Sequence, residues 1–339
     1  MAIVRPVKGI LPRTKMGESM KKCLVIGEIL VEFMADSIGD GFLEAIAMTG
    51  PFPSGAPAIF IDQVAKLGQP CAIVSAVGND DFGKINLNRL SRDGVDISAV
   101  SVDPDRPTGS AFVRYHSDGS RDFVYNIKHS ACGTIPRTRE LAQALDTADH
   151  LHVMGSSLSS PEFVALNLEA ARKVKANGGT ISFDPNLRKE ILTAPGLRDA
   201  MADILSLTDV FLPSGEEITL LTHANDAATA AKELLTLGLR YIVHKMGSDG
   251  VRIYDAAGAG FFPAFSVKEI DPTGAGDCFG GAFTALWLQG MDIDKILCLA
   301  SAAGARAVQH RGPMEGTSDL ETLVRFASEH KDQPIDGRD

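Results

Sequence analysis

Asp271-Pro272-Thr273-Gly274-Ala275-Gly276-Asp277-Cys278-Phe279-Gly280-Gly281 is the segment on which the reading of this chain turns. Val267–Ile270 reads as a short strand leading into it, and Cys278–Gln289 reads as a long helix leaving it, starting around Gly276–Cys278. The first backbone N–H groups of a helix have no intrahelical acceptor and carry partial positive charge. Small residues at Gly274, Ala275 and Gly276 let an anion approach that backbone, so the turn suits a phosphoryl group. A carboxylate at Asp277 would repel such a group unless it had a task of its own. Taking the proton of a hydroxyl that attacks phosphorus is one such task; capping the helix is the plainer alternative. The Gly-x-x-x-x-Gly-Lys-Ser/Thr phosphate loop is absent. Gly274, Gly276 and Gly280 are spaced one residue too long for the dinucleotide fingerprint.

Outward from this segment, strand-like and helix-like runs alternate. Strands are predicted at Lys22–Ile26, Ala72–Val77, His150–Met154, Thr180–Phe183, Asp209–Leu212 and Tyr241–His244. Helices are predicted over Ala58–Leu67, Ile85–Ser91, Pro161–Ala176, Asp226–Leu237 and Asp294–Gln309, and Val251–Tyr254 with Gly260–Phe265 reads as an antiparallel pair. That rhythm predicts an α/β fold, a mostly parallel central sheet with helices on both faces. It breaks twice: Glu32–Pro53 is rich in Gly, Asp and Pro, and Ser110–Ile127 reads as a hairpin turning at Asp118-Gly119. Together they predict a small inserted β lid from about 31–53 and 108–129. The expected organisation is an extension over 1–22, an α/β domain over 23–331 and a polar tail over 332–339.

The 339 residues carry a formal net charge of -10, which excludes a general nucleic-acid binder. No apolar run is long enough for a membrane span. The five cysteines are scattered and odd in number, as free thiols of a reducing, cytoplasmic compartment would be. His150 and His152 share a strand face with no third ligand nearby, so packing is the better reading than a metal.

The run Asp271–Phe279 closely resembles the C-terminal signature of the ribokinase-like (PfkB-type) carbohydrate kinases, and further matches follow in that family's order. Gly27–Phe33 resembles its first strand and acceptor contact, Ser54–Ile59 its N-terminal Gly-Gly signature, and Pro213–Glu217 its Asn-x-x-Glu motif. Asp184-Pro185-Asn186-Leu187-Arg188 resembles a segment of fructokinases and ketodeoxygluconate kinases, and Gly312–Thr317 the end of the nucleotide site. The resemblance runs from about Cys23 to Phe326 and implies ATP-dependent phosphorylation of a sugar hydroxyl. It implies Asp277 as the base, Gly274, Ala275 and Gly276 as the anion hole, and Arg188 as a phosphate clamp. It implies acceptor contacts at Glu32, Gly55, Ala56, Ile59, Tyr125 and Asn126. The nucleotide is expected at Lys245, Gly247, Gly250, Ser301 and Gly304, Mg²⁺ through water at Glu217, and K⁺ at Asp271 with carbonyls near His310–Gly312. It also implies a lid that closes over the acceptor and joins two copies in a homodimer.

Departures fall in the acceptor pocket and its surroundings. Ser54 replaces a Gly, Ile59 an Asn that commonly binds the sugar, Glu32 an Asp, Ser214 an Asn and Pro272 a Thr. Related sugar-acid kinases carry an Arg where this chain has Ile127, which favours a neutral ketohexose, tagatose or fructose. A sugar-acid acceptor is the alternative, with Lys128 supplying the charge. A nucleoside kinase would want aromatic residues to stack a base, and the chain has one Trp and four Tyr. A non-catalytic sensor would have no use for Asp277.

Overall fold

In the computed structural model, which describes residues 20–187 and 196–330, two sheets carry the fold. The large sheet has nine strands in the order β13-β12-β11-β10-β9-β8-β1-β4-β5. Its parallel part is β1 (Cys23–Ile26), β4 (Cys71–Gly78), β5 (Val100–Asp103), β8 (His150–Met154), β9 (Thr180–Asp184), β10 (Val210–Phe211) and β11 (Tyr241–Lys245), and β12 (Val251–Asp255) and β13 (Gly258–Phe262) extend it antiparallel. Central strands buried on both faces read as continuous apolar runs. In β1, Cys23 and Val25 belong to one core and Leu24 and Ile26 to the other.

The first core holds α1 (Ala56–Lys66), α7 (Ala275–Leu288), α8 (Ile293–Val308) and α9 (Leu320–Glu329) against the sheet. The second holds α3 (Arg139–Thr147), α4 (Pro161–Ala176), α5 (Leu197–Leu205) and α6 (Ala227–Leu235). Local signals set the helix ends. Asp80 caps α2 (Asp81–Asp93) through the Gly83 N–H at 2.8 Å, and left-handed Gly94 stops it. Ser160 and Asp226 cap α4 and α6 in the same way.

The second sheet is the lid, ordered β3-β2-β6-β7 and built from β2 (Leu30–Ala35), β3 (Met48–Ser54), β6 (Gly109–Tyr115) and β7 (Arg121–Asn126). The hairpin β6–β7 turns at Asp118-Gly119 as expected and is completed by the segment before Pro53, with β2 parallel to β6. A two-stranded ribbon is marginal alone, and four strands with one covered face are not.

Three expectations need correction. Val267–Ile270 is not a strand; Ile270 and Asp271 instead donate their N–H groups to the Val308 carbonyl, which hangs the segment on the end of α8. Helix α7 begins at Ala275, slightly earlier than expected. The predicted helices omit α3, α5 and α9, although Thr138 and Asp319 cap α3 and α9 by accepting from the Leu141 and Thr322 N–H groups. The expected extension up to residue 19, the expected tail and Arg188 lie outside the described residues.

One buried polar knot braces the segment Gly312–Ser318 against α1. Thr317 Oγ1 donates to Asp62 Oδ2 at 2.7 Å, and Gln63 exchanges two hydrogen bonds with the Ser318 backbone. Arg89 donates to the Met314 carbonyl at 2.7 Å and pairs with Asp62 and Asp93. Burial pushes the Asp62 carboxyl up to about 7, against the pull of Arg89 and Thr317. Between the ordinary carboxylate range and that value, the folded chain holds a proton that the unfolded chain lacks. Its contribution to stability therefore falls as pH rises across roughly pH 4 to 7. Asp62→Asn should gain stability relative to wild type as pH rises from 5 to 8, read by urea denaturation at each pH. A constant difference across that range would show that Asp62 does not titrate there.

Candidate active site

Strands β9, β10 and β11 end side by side, and the crevice beyond the carboxyl ends of parallel strands is where ligands gather in open α/β sheets. Polar residues close each strand. Asp184 ends β9, Ser214 to Glu217 follow β10, and Lys245 ends β11. Asp184 and Lys245 are both buried and form an ion pair. Burial works against the Lys245 charge, but Asp184, Glu217 and Asp277 outweigh it and raise its pKa, so Lys245 is an ammonium throughout the neutral range.

Glu217 holds the crevice together. Its Oε1 accepts from the Leu187 N–H at 2.8 Å and its Oε2 from the Ser214 N–H at 2.7 Å, the latter closing a capping box on the short 3-10 helix Gly215–Thr219. Burial and the Asp184 charge push its carboxyl up, while Lys245 and the two N–H groups pull it back. Glu216, its neighbour, is exposed.

The N-terminus of α7 opens onto this crevice. Its N-cap is Gly274 at φ 79°, with no side chain capping the first turn. A Cβ at Gly274 would stand 2.5 Å from the Pro313 carbonyl oxygen, so both the left-handed angle and the space demand glycine. Gly276 differs: its backbone is helical, and a Cβ there would meet Lys245 Nζ at 3.5 Å. The ammonium therefore lies over the first turn of α7. Asp277 is 8% exposed, and its Oδ1 accepts from Asn186 Nδ2 at 3.1 Å. Asn186 sits at φ 40°, a left-handed conformation that non-glycine residues rarely adopt, and its N–H donates to Asp184 Oδ1 at 3.1 Å. One residue thus touches both Asp184 and Asp277.

Asp271 is 1% exposed and accepts three hydrogen bonds. The Tyr115 hydroxyl and the Thr273 N–H donate to Oδ1, and the Gly312 N–H donates to Oδ2 at 3.0 Å. Burial and the Asp271 charge raise the Tyr115 phenol well above its ordinary value, which keeps it a donor. A monovalent cation at Asp271 would compete with that hydroxyl for Oδ1.

Tyr115 belongs to β6, so this bond ties the lid to the loop before α7. By strand register its face of the lid carries Glu32, Ala111 and Tyr125 in one cross-strand row and Met34, Val113 and Phe123 in the next. Glu32 is 4% exposed and accepts from the Ser54 hydroxyl at 3.1 Å. Asn126 falls on the opposite face and donates to Ser110 Oγ. Ile59 on α1 lies against Gly274, where a Cβ would meet its Cγ2 at 3.3 Å, and Gly55 and Ala56 form the turn and start of the same helix. A cavity of about 670 Å³ opens beside the end of β7, lined by Phe82, Thr108, Tyr125, Asn126, Ile127 and Lys128 but not by Glu32 or Asp277.

The other predicted residues are dispersed around α7. Gly247 and Gly250 shape the turn after β11, closed by the Met246 N–H donating to the Gly250 carbonyl at 2.9 Å. Gly304 of α8 packs on the Ala275 carbonyl, and half-buried Ser301 lies one turn earlier. His150 and His152 are buried and bonded to Thr180 and Ser182, as the packing reading expected. Asp184, Asn186 and Tyr115 are additions from the structure. The first two stand in the segment 184–188, in which the family resemblance implies a role for Arg188 alone. Tyr115 has no local signal, because its partner lies 156 residues away.

Removing one of the three donors to Asp271 should be felt. A hydrogen bond to a buried charged group is worth about 1.5–3 kcal/mol. Tyr115→Phe should lose about that much stability in urea unfolding while keeping its circular dichroism spectrum. Unchanged stability would mean that the bond contributes nothing.

A model of the pfkB family carbohydrate kinases matches residues 20–320. A 2-dehydro-3-deoxygluconokinase of Thermoproteus tenax is 31% identical over 302 residues, 88% of this chain and 91% of the relative. A fructokinase of Vibrio alginolyticus is 28% identical over 282 residues, covering 81% and 91% respectively. Among solved structures, an E. coli protein provisionally named ribokinase II, in complex with ATP and Mg²⁺, is 48% identical with a TM-score of 0.86, covering 92% of this chain and 100% of that one. A double mutant of the Vibrio cholerae fructokinase with fructose, ADP and potassium ion is 25% identical with a TM-score of 0.79, covering 92% and 99%. The fold, the ordered motifs and a family match over most of its length agree: this chain belongs to the pfkB family of carbohydrate kinases.

Proposed function

We propose that this sugar kinase transfers the γ-phosphate of ATP to a hydroxyl of a neutral ketohexose, tagatose or fructose, with Asp277 as the base. The observation that carries the phosphate end is the uncapped first turn of α7, with the Lys245 ammonium over it and Asp277 held within it by Asn186. Asp277 takes the acceptor proton as its oxygen attacks phosphorus. The first-turn N–H groups at Gly274, Ala275 and Gly276 stabilise the phosphoryl oxygens.

The neutral acceptor is supported by the lid. Glu32 lies on the lid face whose Tyr115 reaches the loop before α7, so a buried acid looks toward the site. An anionic acceptor would add a charge beside Glu32 and Asp277 with Ile127 where an Arg is needed, and an unpaired buried carboxylate is costly. Tyr125 shares the Glu32 face and would contact the sugar.

The donor set also fits Mg²⁺ bound mainly by ATP phosphates and water, because Asp184 and Glu217 are close enough for the charge of Asp184 to raise Glu217. Bound there, the cation would neutralise phosphate charge, and Glu217 would hold its waters. Gly247, Gly250, Ser301 and Gly304 would line the rest of the nucleotide.

The opposite lid face supports a homodimer. Phe33 stacks on Phe112 at 5.3 Å, and Val124, next in that row, is 44% exposed. Phe123, in contrast, shares the Glu32 face and stacks on Tyr125.

Asp277→Asn keeps the shape and should lower kcat by at least about 10²-fold, the scale of losing a general base, with ATP affinity little changed. Near-normal turnover would remove Asp277 from the mechanism. A panel of tagatose, fructose and sugar acids assayed with ATP and Mg²⁺ should show the highest kcat/KM for a neutral ketohexose; a sugar acid in first place would reverse the acceptor assignment. Sedimentation should give a dimer for wild type at micromolar concentration and a monomer for Val124→Asp. A wild-type monomer would sink the dimer.

A further inference from the structure

Lys245 is more than a residue of the nucleotide pocket. A buried ammonium is costly, and its pairing with Asp184 accounts for its presence but not its position. Its Nζ stands over Gly276, so two sources of positive charge, the ammonium and the first turn of α7, converge on one spot. Like charges are not brought together without an anion to receive. The protein anions nearby are already engaged: Asp184 Oδ1 accepts the Asn186 N–H, Asp277 accepts the Asn186 amide, and Glu217 accepts two backbone N–H groups. Gly276 is helical rather than left-handed, so backbone conformation does not demand glycine there; what the missing side chain leaves is open space beside the ammonium.

We propose that Lys245 is a catalytic residue, leaving Asp184 on nucleotide binding to donate hydrogen bonds to the oxygens of the transferring γ-phosphoryl group. The inference rests on the proposal that the first turn of α7 receives that group. In the step itself, the acceptor oxygen forms a bond to the γ-phosphorus, and the bond from that phosphorus to the β–γ bridging oxygen breaks with its electron pair leaving on ADP. The acceptor proton goes to Asp277, and Lys245 keeps its three protons throughout. Asp184 acts as a positioning residue, holding the ammonium over the turn before ATP arrives while its own Oδ1 stays bonded to Asn186.

The bland alternative is a structural ion pair, and the two make different predictions. Removing one partner of a buried pair leaves an uncompensated charge, whereas removing both is close to neutral. The double variant Lys245→Met with Asp184→Asn therefore tests function with least risk to the fold, and Lys245→Arg serves as a second variant that keeps the charge. In both, kcat should fall by about 10²-fold or more, the scale of losing one preorganised donor to a developing charge. Calorimetry without Mg²⁺, which keeps the Asp184 change out of the reading, should show ADP affinity within about twofold of wild type and a clear loss for a non-hydrolysable ATP analogue, because Lys245 meets only the γ-phosphate. Ethylammonium should restore turnover of Lys245→Ala at least about tenfold, and tetramethylammonium, equal in charge but without a donor, should not. A double variant within about threefold of wild-type kcat would overturn the proposal. So would equal losses of ADP and ATP-analogue affinity, or rescue by both cations alike. If the analogue bound no more tightly than ADP to the wild type itself, the placement of the γ-phosphate at α7 would fail instead, and that result needs no acceptor.

Discussion

A carboxylate buried as completely as Asp271 must find donors, and the three that it finds come from three parts of the chain. One is the hydroxyl of Tyr115 on the lid strand β6, one the N–H of Thr273 in its own loop, and one the N–H of Gly312 beyond α8. Tyr115 is the last residue of its strand, and Thr273 and Gly312 lie outside helix and strand, so local sequence alone does not bring the three together. Satisfying a single charge therefore sets the lid, the loop before α7 and the Gly312–Ser318 segment relative to one another. The last of these is braced from its far side by Asp62, Gln63 and Arg89. The geometry of the uncapped first turn of α7 follows from that arrangement, since Gly274 sits directly under the Pro313 carbonyl.

The crevice is built on an uneven charge balance. Among the described residues, Lys245 is the buried cation facing Asp184, Glu217 and Asp277, and all three carboxylates raise its pKa. Such an imbalance would be poor design for a core whose only purpose was stability. It suits a site that meets a polyanion together with a divalent cation, where the protein must supply carboxylates for the metal and donors for the phosphate without fixing either in advance. Glu217 and Asn186 illustrate the economy of the arrangement. Each is bonded to backbone or side-chain groups that shape the site, and each lies next to a group that would perform the chemistry.

Much of this was legible in the residue order because the signals are local. Apolar runs bounded by glycine marked the buried strands, glycines marked helix ends, and the run 271–281 marked a turn feeding a helix, although the strand expected before it is absent. The small residues and the acid of that run sit within one helical turn of each other, so spacing alone places Asp277 in the uncapped first turn of α7. What sequence could not supply was every contact whose partners are remote. Tyr115 meets Asp271 across 156 residues and Asn186 meets Asp277 across 91. Nor could spacing tell which face of the hairpin turns inward, since alternation defines two faces without ranking them; the parallel pairing of β6 with β2 decides that Tyr125 rather than Asn126 accompanies Glu32. By itself, then, the sequence determined the α/β architecture, the family and the small-residue turn that leads into Asp277, because those rest on periodicity and on neighbours in the chain. The tertiary structure alone decided that Lys245 stands over that turn and that the lid is tied to it, because a buried charge is satisfied by whatever the fold brings near it.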